Sequence, residues 1–438
     1  MEKRLENYIE SLSKMINIPT ISEKGYFNKP IFDEFHKLLK NLFPNIFKTF
    51  KYEEFDGSFL LSYIVNNELE PILLMSHHDV VSPNGEWQHE PFNASLENGK
   101  LYGRGTLDTK GNLWAILTSI EELLEENYIF TRSIYIESSC NEETTSTGAL
   151  NISRILKDRG VHFYFTLDEG GMIVYDPIGV TDGTFAMIAL GEKDYLDLKF
   201  TAKSKGGHSS TPDKNNPLLR LSKFIVYVEK HNLFRPYLDD LTVSTFNKFS
   251  LKMKGLYKFI FAHAKGFRHL LARIMVKNSP IASSMVKTTI CFTKAKGSDE
   301  SNVVPDEAFV TGNIRICHHD TKESVKNTLR KIANKFDLEI EEIDPGYYSD
   351  NCSANSKQFK FLCNTIESNF KNVISAPYIS TGASDSRFFT DLSENIFRFA
   401  PFICSNEQLN TIHSKDENID INSLIPAVDF YKELVKKA

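Results

Sequence analysis

The feature that most restricts the fold is an alternation running through the first 190 residues. Short apolar runs at 59–65, 71–75, 133–137 and 162–167 read as buried strands. Between them, 31–42, 111–126 and 147–159 carry apolar residues at helical spacing, with Gly148 tolerated near the start of the last. Strands alternating with helices predict an α/β sheet covered on both faces. Past residue 192 the pattern changes. Residues 197–203 alternate, with Leu198, Phe200 and Ala202 turned to a core and Lys199, Thr201 and Lys203 outward. A helix at 217–231, strands at 286–292 and 306–316, a helix at 321–336 and a strand at 338–343 complete a small α+β unit. Helical spacing returns at 359–369 and in a last helix near 423–437, where Ser423 stands at the N-cap. The chain therefore reads as an α/β domain over 1–193 and 346–438, interrupted by an insert at 194–345.

A length of 438 residues suits two such units. With 41% hydrophobic and 25% charged residues the composition is that of a globular protein. A net charge of −6 gives no overall pull toward nucleic acid or an anionic membrane. Near the N-terminus, Leu5, Tyr8, Ile9, Leu12, Met15 and Ile16 recur at helical spacing among charges, which is not a signal peptide. No run of about 18 apolar residues marks a transmembrane span. The six cysteines form no CxxC pair, so a thiolate metal cluster is not expected and a cytoplasmic protein with reduced thiols is.

Chemistry gathers where strands end. The run PILLMSHHDVV puts His77 just past a strand, with Asp79 on the same side of the extended chain, suited to orienting the imidazole. RSIYIESSC is followed by Glu142 and Glu143, and HFYFTL by Asp168 and Glu169. YGRGTLDTKG places Asp108 on a Gly-rich loop before a helix. A lone histidine, an acidic pair or a DEGG turn is most often structural. Their joint arrival beyond successive strands, where open α/β sheets bind ligands, points to a metal site. Amide hydrolysis at neutral pH needs a strong nucleophile and a counter-charge for the oxyanion, and two metals on His and carboxylate ligands supply both.

At these residues a family becomes recognisable. SHHDVV, W-x-x-x-PF from Trp87 to Phe92, LYGRGTLDTKG, NEET, LDEGGMI, GEKDYLDLKF, GGHSSTP, NVVP and IHSKDENI occur in order. Together they resemble the di-zinc exopeptidase and amidohydrolase family of carboxypeptidase S, glutamate carboxypeptidase, aminoacylase, acetylornithine deacetylase and succinyl-diaminopimelate desuccinylase. The resemblance is strongest to the carboxypeptidase S and N-acyl-aromatic-amino-acid hydrolase branch. It implies a zinc-exopeptidase-like α/β/α catalytic domain with an inserted ferredoxin-like lid or dimerisation domain, in a monomer or homodimer. It implies two Zn2+ per chain, in a site that Co2+ or Mn2+ also suits. His77 and Asp168 would hold one, Glu143 and His413 the other, and Asp108 would bridge them. Glu142 would be the general base and Asp79 would orient His77. His208 in GGHSS would polarise the scissile carbonyl. Asn302 and Arg315 would contact substrate from the lid, while Thr381, Gly382 and Arg387 would line the pocket wall. A peptide with a free C-terminus or an N-acyl amino acid is the expected substrate. Alternatives are a biosynthetic deacylase of N-acetyl or N-succinyl amino acids, or a binding protein that keeps only the fold.

The chain departs from the family pattern at four places. Ser82 is an extra residue before Pro83, Asn141 stands where an acid is commoner, Asp194 replaces a glycine, and CHHD follows Arg315 where a Pro-Gly turn is usual. One stretch stands apart. Residues 248–277 hold eight Lys or Arg and no Asp or Glu, interleaved with Phe249, Leu251, Leu256, Phe259 and other apolar residues. It reads as a pair of lid helices with a solvated cationic face, or else as a surface for a fatty-acyl tail or a membrane interface.

Overall fold

The computed structural model describes residues 2–278, 280–346 and 352–438. Its centre is an eight-stranded mixed sheet in the order Lys51–Phe55, Ser58–Tyr63, Ile134–Ser138, Ile72–Met75, Phe165–Tyr175, Ile396–Cys404, Thr184–Glu192, Val373–Ser380. Ile72–Met75 pairs in parallel with Ile134–Ser138 on one side and Phe165–Tyr175 on the other. All four of its residues are buried. Successive side chains of a strand point to opposite faces, so both faces of the sheet are covered there. The apolar runs seen in the sequence are these strands. Helices Glu2–Ile16, Lys29–Leu42, Lys110–Glu125, Thr147–Asp158, Lys357–Asn369 and Leu424–Lys437 pack with the sheet into one core. Lys110–Glu125 carries Leu113, Trp114, Ile116, Leu117 and Ile120 inside that core, which explains its weak amphipathic pattern.

The insert forms a second sheet. Its order is Thr289–Lys296, Glu307–Ile316, Asp194–Lys203, Glu339–Asp344, with every pairing antiparallel. In chain order the elements run strand, helix, strand, strand, helix, strand, which is the ferredoxin-like arrangement. Leu198, Phe200 and Ala202 meet Leu221 and Phe224 of Pro217–Lys230 and Leu329 of Lys322–Lys335 in a separate core.

One expectation is refined and one changes. Ser423 stands at the N-cap of the last helix as expected, but its side chain does not cap the helix. The residue is buried, and its hydroxyl donates to the Asp420 carbonyl one turn earlier. The cationic stretch is not a pair of lid helices. It belongs to a group of four helices, Asp240–Ser250, Gly255–Ala262, Ala264–Asn278 and Pro280–Val286. Their inner residues, among them Val243, Phe246 and Phe249, pack on Phe185 and Ala376 of the large sheet. The Thr245 hydroxyl donates to the Pro377 carbonyl of that sheet's edge strand. Part of the apolar content of 248–277, Phe249, Met253 and Leu271 among it, is therefore buried in the cluster on the large sheet. Among the described residues, no helix is long and apolar enough to cross a membrane.

Candidate metal centre

His77 leaves the sheet at the end of Ile72–Met75 and is buried. Its Nδ1 lies 3.0 Å from the Asp79 carbonyl and 3.3 Å from Asp79 Oδ1. That fixes the ring and leaves Nε2 pointing outward, as a metal-ligating imidazole requires. Asp79 is itself fully buried and does a second job. Its Oδ1 accepts the Glu142 amide and its Oδ2 the Glu143 amide, each at 3.1 Å, and the Ser22 hydroxyl also donates to Oδ2.

Asp108 sits between two imidazoles. Its Oδ1 is 3.1 Å from His77 Nε2 and its Oδ2 is 3.0 Å from His413 Nε2. His413 Nε2 is also 3.0 Å from Glu143 Oε1. Suitable donor atoms of His77, Asp108 and Glu143 lie within 4.8 Å of one another. The loop before Asp108 is held by Glu417, which no motif reasoning singled out. Glu417 Oε1 accepts the amides of Leu107 and Asp108 at 2.8 and 3.1 Å. Its Oε2 accepts Arg104 Nη1 at 2.7 Å and the Gly105 amide at 3.1 Å. Arg104 also donates to the Ser414 carbonyl. One buried ion pair thus ties the loop of Asp108 to the loop of His413. Both partners were visible in the YGRG and IHSKDENI blocks, but nothing in spacing says that they meet.

The electrostatics are those of a site built for cations. The Asp108 and Glu143 carboxylates push the His413 imidazole up to about 10. Burial opposes a charge on His77, but Asp108 and Asp79 outweigh it and hold its pKa well above the usual value. Burial would lift Asp108, but His413 and His77 bring it well below the usual carboxylate range. Burial raises Glu142, Glu143 and Glu169, and neighbouring acids add to this. Burial likewise raises Glu417, with Arg104 and the loop amides pulling it back. Acids crowded this way ask for positive charge nearby.

Glu142 sits beside Glu143 on the turn after Ile134–Ser138, and no described group hydrogen-bonds its carboxylate. Asn141 does not substitute for an acid. Its Oδ1 accepts the Gly148 amide and its Nδ2 donates to the Thr147 hydroxyl, so it organises the start of the next helix. Asp168 faces inward. Its oxygens accept the amides of Glu169 and Ser386 at 2.8 and 2.9 Å. It is the neighbouring Glu169 whose Oε1 comes to 4.0 Å from His77 Nε2. Close to Asp168 are Glu137 and Asp385, both raised by burial, Asp385 to about 7.

The pocket residues lie in three places. Arg387 reaches the turn of Glu142, donating to the Ser146 hydroxyl at 2.9 Å, and its buried Nε has no hydrogen-bond partner among the described residues. Thr381 and Gly382 are exposed on the loop after Val373–Ser380. In the insert, His208 is exposed on a short ladder, Gly207–His208 against Val303–Val304, and the Asn302 carbonyl accepts the Ser209 amide beside it. The contacts of His208 are with its own turn, where Nδ1 meets the Ser210 hydroxyl at 2.7 Å, and not with the donor cluster. Arg315 lies over the Tyr195 ring, its Nε donating to Asn313.

A mixed sheet presenting buried His and carboxylate donors beyond its strand ends, with a ferredoxin-like insert, defines a metallohydrolase. The chain belongs to peptidase family M20/M25/M40, whose pattern it matches over residues 73–437. It is a metal-dependent hydrolase of amide bonds. It is 32% identical over 444 residues to a probable carboxypeptidase S-like 2 of Dictyostelium discoideum, covering 98% of this chain and 84% of that protein. It is also 32% identical over 441 residues to the human N-fatty-acyl-amino acid synthase/hydrolase PM20D1, covering 98% and 87%. The fold resembles that of the M20 family metallo-carboxypeptidase Sso-CP2 from Sulfolobus solfataricus, with a TM-score of 0.70, 20% identity and 98% of each chain covered.

Proposed function

We propose that the chain cleaves an amide bond next to a free carboxylate, in a peptide or an N-acyl amino acid, with two zinc ions. His77, Asp108, Glu143, His413 and an acid of the Asp168–Glu169 pair would hold them. The observation that carries this reading is the double approach to Asp108, one oxygen facing each imidazole. Nitrogen and oxygen donors in that arrangement fit a bridged pair of zinc ions, and cobalt or manganese would take the same donors. When bound, the metals would polarise the scissile carbonyl and acidify the attacking water. The remaining work falls to side chains. Glu142, unpaired beside that water, would take its proton and deliver it to the leaving nitrogen. Asp79 would hold both His77 and the amides of the Glu142 turn in place.

Arg387, with an unpartnered Nε at the base's turn, and Arg315 would grip the substrate carboxylate, which guanidinium forks match. Asn302 and His208 would approach as the ferredoxin-like sheet closes over the large one, His208 at the scissile carbonyl of its own or a partner chain. Thr381 and Gly382 would border the pocket. The human relative's name favours an N-acyl amino acid over a peptide.

The test is Glu142→Ala. Metal content should stay intact while kcat falls about 10²–10⁴-fold. Near-normal turnover would remove the base assignment. Parallel assays of dipeptides, N-fatty-acyl, N-acetyl and N-succinyl amino acids settle the acyl group, and turnover of none would favour a binding protein.

A further inference from the structure

The helices that pack on the large sheet with their inner faces leave their outer faces bare. Gly255–Ala262 has no buried residue, and Leu256, Tyr257 and Phe259 are 71%, 61% and 54% exposed. The Phe259 ring meets Phe267 of the next helix at 6.2 Å. Leu270 and Ile274, also exposed, follow Phe267 at i+3 and i+7, so the apolar stripe continues along Ala264–Asn278. A second segment adds to it. The hairpin of Phe165–Tyr175 and Thr184–Glu192 exposes Tyr175, Ile178 and Val180 at its tip. That tip is tied to the same corner by a hydrogen bond from the Asp182 amide to the Lys252 carbonyl, next to the exposed Leu251.

Cations ring this apolar surface. Lys252, Lys254, Lys258, Lys265, Arg273 and Lys277 lie on these helices or their connections. Among the described residues, no carboxylate comes within ion-pair distance of any of them. Arg268, by contrast, is taken by Asp240 at 2.7 Å. A local excess of unpaired positive charge on a chain of net charge −6 is a feature of this patch, not of the whole protein.

We infer that this face docks on an anionic lipid bilayer, with the two helices lying in the headgroup region. Exposed Leu, Phe and Tyr interleaved with unpaired Lys and Arg are the composition that interfacial helices use. The lysine stems lie along apolar surface while their ammonium groups reach lipid phosphates and carboxylates. A second copy docked by two-fold symmetry would bring the same cations face to face. A nucleic acid backbone would satisfy the cations and leave Leu256 and Phe259 in water. The inference stands whichever amide the active site cleaves.

The test is co-sedimentation of the full chain with vesicles of phosphatidylserine and phosphatidylcholine, against phosphatidylcholine alone. Binding should need the anionic lipid and weaken as salt rises from 0.1 to 0.5 M in order of magnitude, roughly as screening shortens. Lys254→Glu with Lys258→Glu should lower partition by about five-fold per lysine or more. Leu256→Ser with Phe259→Ser should lower it about ten-fold or more, at unchanged kcat on a soluble substrate. No binding to anionic vesicles would overturn the inference. So would binding that ignores the Leu256 and Phe259 changes, or a dimer in ultracentrifugation that those changes dissolve without any vesicle binding.

Discussion

Glu417→Gln is the sharpest probe of how the centre is held. The wild-type carboxylate divides its work evenly, each oxygen accepting from two donors. A glutamine offers one oxygen. Whichever way the amide turns, its NH2 group faces two donors, so two hydrogen bonds are lost. With the oxygen kept on Leu107 and Asp108, Arg104 is left buried with only the Ser414 carbonyl to accept from it. Hydrogen bonds to charged groups contribute about 1.5–3 kcal/mol each, and breaking a buried ion pair costs about 3–5 kcal/mol. The expected loss is therefore about 3–5 kcal/mol, a large part of the roughly 5–15 kcal/mol that domains possess. Urea unfolding followed by far-UV circular dichroism measures it, with the slope checked for constancy. Glu433→Gln, which removes only a partly exposed pair with Lys437, serves as the control and should change stability by less than about 0.5 kcal/mol. Metal content should fall as well, because Asp108 and His413 lose their common anchor. A Glu417→Gln protein destabilised by less than about 1 kcal/mol and carrying its full metal complement would refute the reasoning.

Two further outcomes are expected. Burial holds the Asp194 carboxyl up at about 6, with Lys322 only partly opposing, against about 3.9 in an unfolded chain. The folded state then binds more protons between those values, so stability falls as pH rises through that window and stays low above it. Asp194→Asn should stabilise by about 2–3 kcal/mol at pH 8 and by little at pH 4, read from thermal melts at both; an equal shift at both would contradict this. Asp168→Asn and Glu169→Gln separate the two acids. If the fifth donor is Glu169, as its approach to His77 suggests, Glu169→Gln lowers zinc affinity about 10–100-fold, and Asp168→Asn mainly disturbs the Ser386 loop. Equal zinc retention in the Glu169 variant, by isothermal titration, would return the role to Asp168.

Much of this was legible in the chain itself. Strands buried on both faces, such as Ile72–Met75, write themselves as unbroken apolar runs. His77, Asp108, Glu143 and His413 were expected as ligands from motifs, and the structure gathers them although His413 and Glu143 are 270 positions apart. What stayed hidden depends on direction and partners. Adjacent acids such as Asp168 and Glu169 point to different sides of a strand, and spacing does not say which faces the metals. Arg104 and Glu417 look like surface charges until they are seen 313 positions apart and in contact. The helices of 248–277 carry enough apolar residues to pack somewhere, and only tertiary structure tells that Phe246 and Phe249 pack on the large sheet while Leu256 and Phe259 stay largely exposed.

The tie between Arg104 and Glu417 also sets a timetable for synthesis. Four of the five proposed donors leave the ribosome early, yet the loop bearing Asp108 lacks this anchor until the stretch around Glu417 has emerged, after the whole insert. Closing so long a loop is slow. Ile396–Cys404, which fills the sheet between Phe165–Tyr175 and Thr184–Glu192, also emerges after the insert, so the large sheet and its centre are completed late and together.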